Sequence, residues 1–192
     1  MKRILLAAKL LLFVLLLLAG LQSFTQSLKF NGTSQYARAN NNAALQLKSF
    51  TIEMWIRPEG TGVASANGSG AGGLLNVFPV LSKGRGEIES PAVDVNYFVG
   101  INASTNKIGF DFEDDINAAN HPIYSNTSIV TCGWQHVAAT YNDITGEWKI
   151  YINGALDASA TLSQPFHPQS ASAVALSFGS APQFNQYCRR FF

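Results

Sequence analysis

From residue 134 to residue 160 the chain reads WQHVAATYNDITGEWKIYINGALDASA, and its side chains alternate in character with a period of two. Trp148, Ile150 and Ile152 fall on one side, with Lys149 and Tyr151 on the other. Successive side chains of a strand point to opposite faces, so such a run gives one face to a core and the other to water. Asn153-Gly154 separates two of these runs. A two-residue type I′ turn needs positive φ at both central positions, which Asn and Gly accept most readily. Asn142 to Gly146 makes a longer hairpin loop ending in glycine. The stretch is therefore an antiparallel meander of three strands, and a chain built around it must pack sheets.

The same period runs through the rest of the chain. Phe50, Ile52, Met54 and Ile56 alternate with Thr51, Glu53, Trp55 and Arg57 until Pro58 ends the run. In NKIGFDFED, Ile108, Phe110 and Phe112 oppose Lys107, Asp111 and Glu113, which predicts a strand with one polar face in water. Further strands are predicted near Leu28, from Gln35, from Phe78, from Val95 and from Ala173. No segment after residue 26 carries a helical period. Many short strands separated by turn signals predict two packed antiparallel sheets. Residues 60–73, GTGVASANGSGAGG, read as a flexible surface loop because strands resume on both sides.

The N-terminus belongs to a different class of segment. Lys2 and Arg3 precede an apolar run from Leu10 to Ala19, and Ser23-Phe24-Thr25 follows. That order is the layout of a secretory signal peptide covering residues 1–25. Its apolar run would span roughly 15 Å as a helix, half of a ~30 Å hydrocarbon core, so no membrane span is expected after cleavage. Removing 25 of 192 residues leaves 167, enough for one domain with a sizeable core. The mature part keeps ten basic against twelve acidic residues, a formal charge of −2. Without a basic stripe, nucleic acid is not an expected partner. Cys132 and Cys188 form the candidate disulfide of an exported chain, the alternative being one half-buried thiol and one tail thiol.

With these segments in view, the chain resembles the laminin-G-like branch of the concanavalin-A-like jelly rolls. The resemblance is carried by LKFNGTSQYARA (28–39), SFTIEMWIRP (49–58), VLSKG (80–84), GWQHVAATYN followed by WKIYINGAL, and LSFGS (176–180). It implies an all-β, two-sheet antiparallel sandwich over residues 26–182, exported to the surface or the medium. Relatives of that kind bind sugars, proteins or other extracellular ligands, often as one module of a larger adhesin or polysaccharide-degrading enzyme, and many hold calcium at the rim. The chain departs from the pattern where relatives carry acidic residues and it has Asn31 and Gln35, since neutral amides are weaker calcium ligands than carboxylates. It departs again after LSFGS, where the resemblance implies a closing strand and residues 183–192 do not alternate. That tail is expected to be a truncated or frame-shifted end, leaving an edge strand unpaired.

The candidate sites follow from residue type. Some relatives are glycoside hydrolases with acids at alternate strand positions, so Glu87 with Glu89 and Asp111 with Glu113 are the pairs to weigh. Neither continues into a third acid in register, and catalysis is not expected. Asp111, Glu113, Asp114 and Asp115 form the candidate calcium group, set against an ordinary solvated strand end. His136 and Glu53 fall on framework motifs and suit a polar cross-strand contact. His121 and His167 stand in loops without zinc-ligand spacing. Tyr97, Tyr124, Tyr141, Tyr151 and Trp55 are candidates for stacking on sugar rings, with Tyr151 the one expected to be exposed. The chain thus reads as a non-catalytic module binding an extracellular polysaccharide or glycoprotein through Tyr151, Asp111 and Asp115, with no required cofactor. The other reading is the N-terminal piece of a larger adhesin or hydrolase, acting as a spacer or protein-docking domain.

Overall fold

The computed structural model describes residues 26–60, 62–65, 72–85 and 94–181, together with 186–187 and 190–191. The alternation around Trp55 becomes β2 (Phe50–Ile56), with Phe50, Ile52 and Ile56 buried and Thr51, Glu53 and Trp55 exposed. The meander becomes β8 (Gln135–Asn142), β9 (Glu147–Ile152) and β10 (Ala155–Thr161). Its second turn has φ of 51° at Asn153 and 80° at Gly154, both positive as the type I′ turn demands. These strands form a four-stranded antiparallel sheet in the order β10-β9-β8-β2.

The facing sheet has six strands. They are β1 (Ala37–Ala39), β4 (Val77–Lys83), β5 (Tyr97–Asn102), β6 (Lys107–Asp111), β7 (Ile123–Ser128) and β11 (Leu176–Phe178). Their order is β1-β11-β4-β5-β6-β7. Short pairs complete the chain: β3 (Pro58–Glu59) with β14 (Arg190–Phe191), and β12 (Ser180–Ala181) with β13 (Gln186–Tyr187). Within the tail expected to be a truncated or frame-shifted end, Gln186–Tyr187 and Arg190–Phe191 thus form short strands paired with β12 and β3. The strand expected near Leu28 does not form, although Phe30 is buried in the core. β7 carries the polar sequence IYSNTS and shows no apolar alternation for a sequence reading to find.

The sheets meet over an aromatic centre. Phe50 packs edge-on to Trp148 at 5.5 Å between ring centroids, and Phe112 lies 4.4 Å from Tyr141 and 5.4 Å from Trp148. Such pairs add roughly 0.5–1.5 kcal/mol each beyond their buried area.

A second layer corrects the expectation for NKIGFDFED. On the outer face of the six-stranded sheet, Val77 of β4 and Phe98 of β5 form a small cluster with Leu74, Val95 and Ala181, and Tyr124 packs against it. Gly100 and Gly109 sit opposite one another on that face. A Cβ at Gly100 would come within 2.8 Å of Val77 and one at Gly109 within 2.7 Å of Leu74, so this cluster packs directly on bare backbone. Asp111 pairs with Phe98 on the same face and is fully buried. The polar face expected in water is therefore interior.

Candidate functional site

The outer face of the four-stranded sheet follows from register. Glu53 pairs with Ala138, Ala138 with Tyr151, and Tyr151 with Leu156, so these four side chains form one row across β2, β8, β9 and β10. Trp55 pairs with His136 in the adjacent row, their rings 5.5 Å apart. Trp55 is 64% exposed and Leu156 56%, while Tyr151 is half-buried between them. Ala138 leaves a shallow place in the middle. Tyr151 lies two strands from Glu53, roughly 10 Å at ordinary strand spacing. Polar groups ring the patch: Glu53 is 3.5 Å from His136 Nε2, and Lys149 Nζ is 2.8 Å from Glu147. The face has the composition of a ligand platform, with exposed apolar rings bounded by donors and acceptors.

Beside it, Trp55 and Trp134 line a groove of about 320 Å³ with Leu28, Phe30, Met54 and Phe178. Trp134 is 45% exposed. The sequence reading did not single it out, because it precedes its strand and its alternation with His136 says nothing about exposure.

The acidic candidates have other work. Asp111 Oδ2 accepts the backbone N–H of Gly73 at 2.6 Å, and Glu113 Oε2 accepts that of Val95 at 3.3 Å. Asp114 Oδ1 accepts N–H groups from Ile116 and Asn117, and its Oδ2 meets His121 Nε2 at 2.8 Å. Burial alone would push the Asp114 carboxyl up. The bonds from Asn117, His121 and Ile116 outweigh it and hold the group below its ordinary value. Asp115 is exposed, and its backbone N–H donates to the His167 carbonyl. Asp111, Glu113 and Asp114 are buried and accept N–H groups from separate segments, while Asp115 is exposed, so the four carboxylates do not gather at one point. Among the described residues, no group of three or more His, Cys, Asp or Glu side chains is arranged to hold a metal. Asp111 and Asp115 also lie at the end of the six-stranded sheet and do not join Tyr151.

Burial likewise removes Asp111 and Glu113 from hydrolytic chemistry, since a substrate cannot reach them; Glu87 and Glu89 lie outside the described residues. Tyr97 and Tyr141 are core residues. Burial pushes both phenols up to about 12, while their hydroxyls bond the carbonyls of Leu45 and Phe166. Tyr124 is half-buried, its oxygen accepting the Leu75 N–H. His121 packs between Phe112 and Phe166, and His167 bonds Asp143 at 3.0 Å. Asn31, standing where an acid was considered, uses its side-chain oxygen to accept the N–H groups of Thr33, Ser34 and Gln35. Cys132 is exposed, and Cys188 lies outside the described residues. So do residues 1–25 and, in the glycine-rich loop, residue 61 and residues 66–71. No helix among the described residues is long and apolar enough to cross a membrane.

Two antiparallel sheets around one aromatic core, the sheets linked by crossovers, define an all-β jelly-roll sandwich. Residues 31–189 match the concanavalin A-like lectin/glucanases superfamily, and the chain belongs to it. No curated protein sequence matches the chain. Among solved structures it is similar to the CBM40 domain of the Ruminococcus gnavus IT-sialidase bound to alpha2,3-sialyllactose, at 12% identity and a TM-score of 0.63, covering 87% of this chain and 84% of that one. It is similar to the leech intramolecular trans-sialidase complexed with 2,7-anhydro-Neu5Ac, at 13% identity and 0.59, covering 85% of this chain and 23% of that one. The binding domain of botulinum neurotoxin serotype G has 19% identity and a TM-score of 0.54, with 85% of this chain and 38% of that one covered.

Proposed function

We propose that the chain is an exported, non-catalytic module that binds polysaccharide or glycoconjugate on the outer face of its four-stranded sheet. The observation that carries this reading is the placement of Trp55 and Tyr151 on either side of Ala138, with Glu53, His136 and Lys149 around them. A pyranose ring offers an apolar C–H face to an aromatic side chain and hydroxyls to the polar rim, so stacking supplies contact and hydrogen bonds set orientation. The sialyllactose-bound CBM40 domain supports it as a sugar-binding example of the same fold.

Affinity electrophoresis of the purified protein through a panel of polysaccharides tests the reading, run with calcium and again with EDTA. Retardation by a subset of the panel, unchanged in EDTA, is the expected result, because the acidic residues do not gather. If a protein with folded β-type circular dichroism is retarded by no glycan in the panel, the reading is lost.

A further inference from the structure

Among the described residues the four-stranded sheet ends at β2 and no strand pairs with its outer side, where Gln26, Ser27 and Leu28 stand at the neighbouring groove. The hydrogen bonds of β8 show which residues of β2 turn their backbone to that side. His136 donates its N–H to Asn153 Oδ1 and accepts that of Asn153, so its backbone is directed at β9. Backbone direction alternates along an antiparallel strand, so Val137, Ala139 and Tyr141 are directed at β2, where they meet Met54, Ile52 and Phe50. The intervening residues Thr51, Glu53 and Trp55 therefore turn N–H and C=O away from β8. Among the described residues no hydrogen bond reaches them on that side.

The groove lies along this edge. Its floor is apolar, with Met54 and Ile56 from β2 and Val80, Leu81 and Phe178 from the facing sheet. One residue beyond β2, the edge already accepts a strand. Pro58 gives its carbonyl to Cys132 on the β8 side, so β14 must pair with β3 from the open side, antiparallel, with Arg190 opposite Glu59. Charge further specifies the occupant. Glu53 projects beside the open edge with its side chain 68% exposed, next to the exposed Trp55. A cation opposite Glu53 would gain both the carboxylate and the ring face.

We propose that this edge is a strand-addition site. It takes an extended segment of a partner polypeptide, antiparallel to β2, with apolar side chains at alternate positions entering the groove and lysine or arginine between them facing Glu53 and Trp55. Main-chain bonds to Thr51, Glu53 and Trp55 hold the segment, and the groove and Glu53 select it.

The test uses the purified protein and a seven-residue peptide alternating lysine with valine and isoleucine, matched to the seven residues of β2. Controls replace lysine by glutamate or place a central proline. Amide exchange followed by NMR should show Thr51, Glu53 and Trp55 slowed at least about tenfold by the lysine peptide, with Ile52 and Met54 unchanged. The glutamate peptide should bind about tenfold more weakly, the proline peptide should not protect the amides, and Glu53→Lys should reverse the preference between the two charges. Three results would overturn the proposal. In one, Thr51, Glu53 and Trp55 are as protected in the free protein as Ile52 and Met54, so that the chain covers its own edge. In the second, no peptide slows their exchange. In the third, the lysine and glutamate peptides bind equally to the protein and to the Glu53→Lys variant.

Discussion

Asp157 on β10 accepts the backbone N–H of Asn126 on β7 at 2.6 Å, so a carboxylate ties the edge strand of one sheet to the edge strand of the other. Thr127 N–H adds bonds of 3.2 Å to both carboxylate oxygens, and Asn126 Nδ2 returns one to the Asp157 carbonyl. The register of β10 shifts between Leu156 and Ala158, and this irregularity places Asp157 at the edge. The sandwich is thereby laced shut along β7 and β10, while among the described residues no strand pairs with β2 along its outer edge.

Burial would raise the Asp157 carboxyl, but the bonds from Thr127 and Asn126 and the Lys107 charge hold it below its ordinary value of 3.8. Asp143 is lowered chiefly by the hydrogen bond from Ser49, with His167 adding to it. A carboxylate depressed by folding stabilises the fold above its unfolded pKa, and that contribution is lost as pH falls through the folded value. Urea unfolding should therefore show constant stability above about pH 5 and a decline below about pH 4. Asp157→Asn should cost about 1–2 kcal/mol at neutral pH and make the acid decline shallower.

Lys83 is fully buried and donates from Nζ to the carbonyls of Ser172 and Val174, both at 2.7 Å. It clamps the segment leading into β11 onto β4, and burial pulls its ammonium below the ordinary value. Lys83→Met keeps the apolar stem but removes the donor from two carbonyls. Chemical denaturation should register a loss of about 2–4 kcal/mol.

Gly84 has φ of 91°, and a Cβ there would lie 2.0 Å from the Asp94 carbonyl oxygen. Backbone cannot yield as a side-chain tip can, so Gly84→Ala should cost at least about 3 kcal/mol. Gly154 has a similar φ of 80° with nothing within 4 Å of its Cβ position. Gly154→Ala carries conformational strain alone and should cost about 1 kcal/mol. Thermal melts of the two variants separate the clash from the strain.

Trp55→Ala and Tyr151→Ala should each weaken glycan retardation at least about tenfold, while Asp115→Asn should leave it unchanged. The melting temperature of Trp55→Ala should stay close to that of the parent protein, because surface substitutions rarely cost more than ~0.5 kcal/mol, and Tyr151→Ala should keep the folded β-type circular dichroism. Loss of binding with equal loss of folding would remove both residues from the platform.

Two of the candidate residues show how far alternation can be read. Tyr151 was placed on the outer face by its neighbours Ile150 and Ile152, and it is there, though half-buried, because Leu156 and Ala138 flank it on the adjoining strands. The same logic puts Asp111 in water, but it is buried, because the segment carrying Gly72 and Gly73 returns over that face and Gly73 donates its N–H to the carboxylate. Alternation separates the two faces of a strand; what covers each face is a separate matter.

By itself, the sequence determined the strands that alternate, the meander with its Asn153-Gly154 turn, and the family pattern. These depend on side-chain period and local backbone preference, which act over a few residues. The tertiary structure alone decided that Asp111, Glu113 and Asp114 serve backbone donors, that Lys83 is a buried clamp, that Trp55 and Trp134 share a groove, and that β2 ends its sheet among the described residues. Each of those depends on contacts between residues distant in sequence, such as Asp157 with Asn126, and no local period carries them.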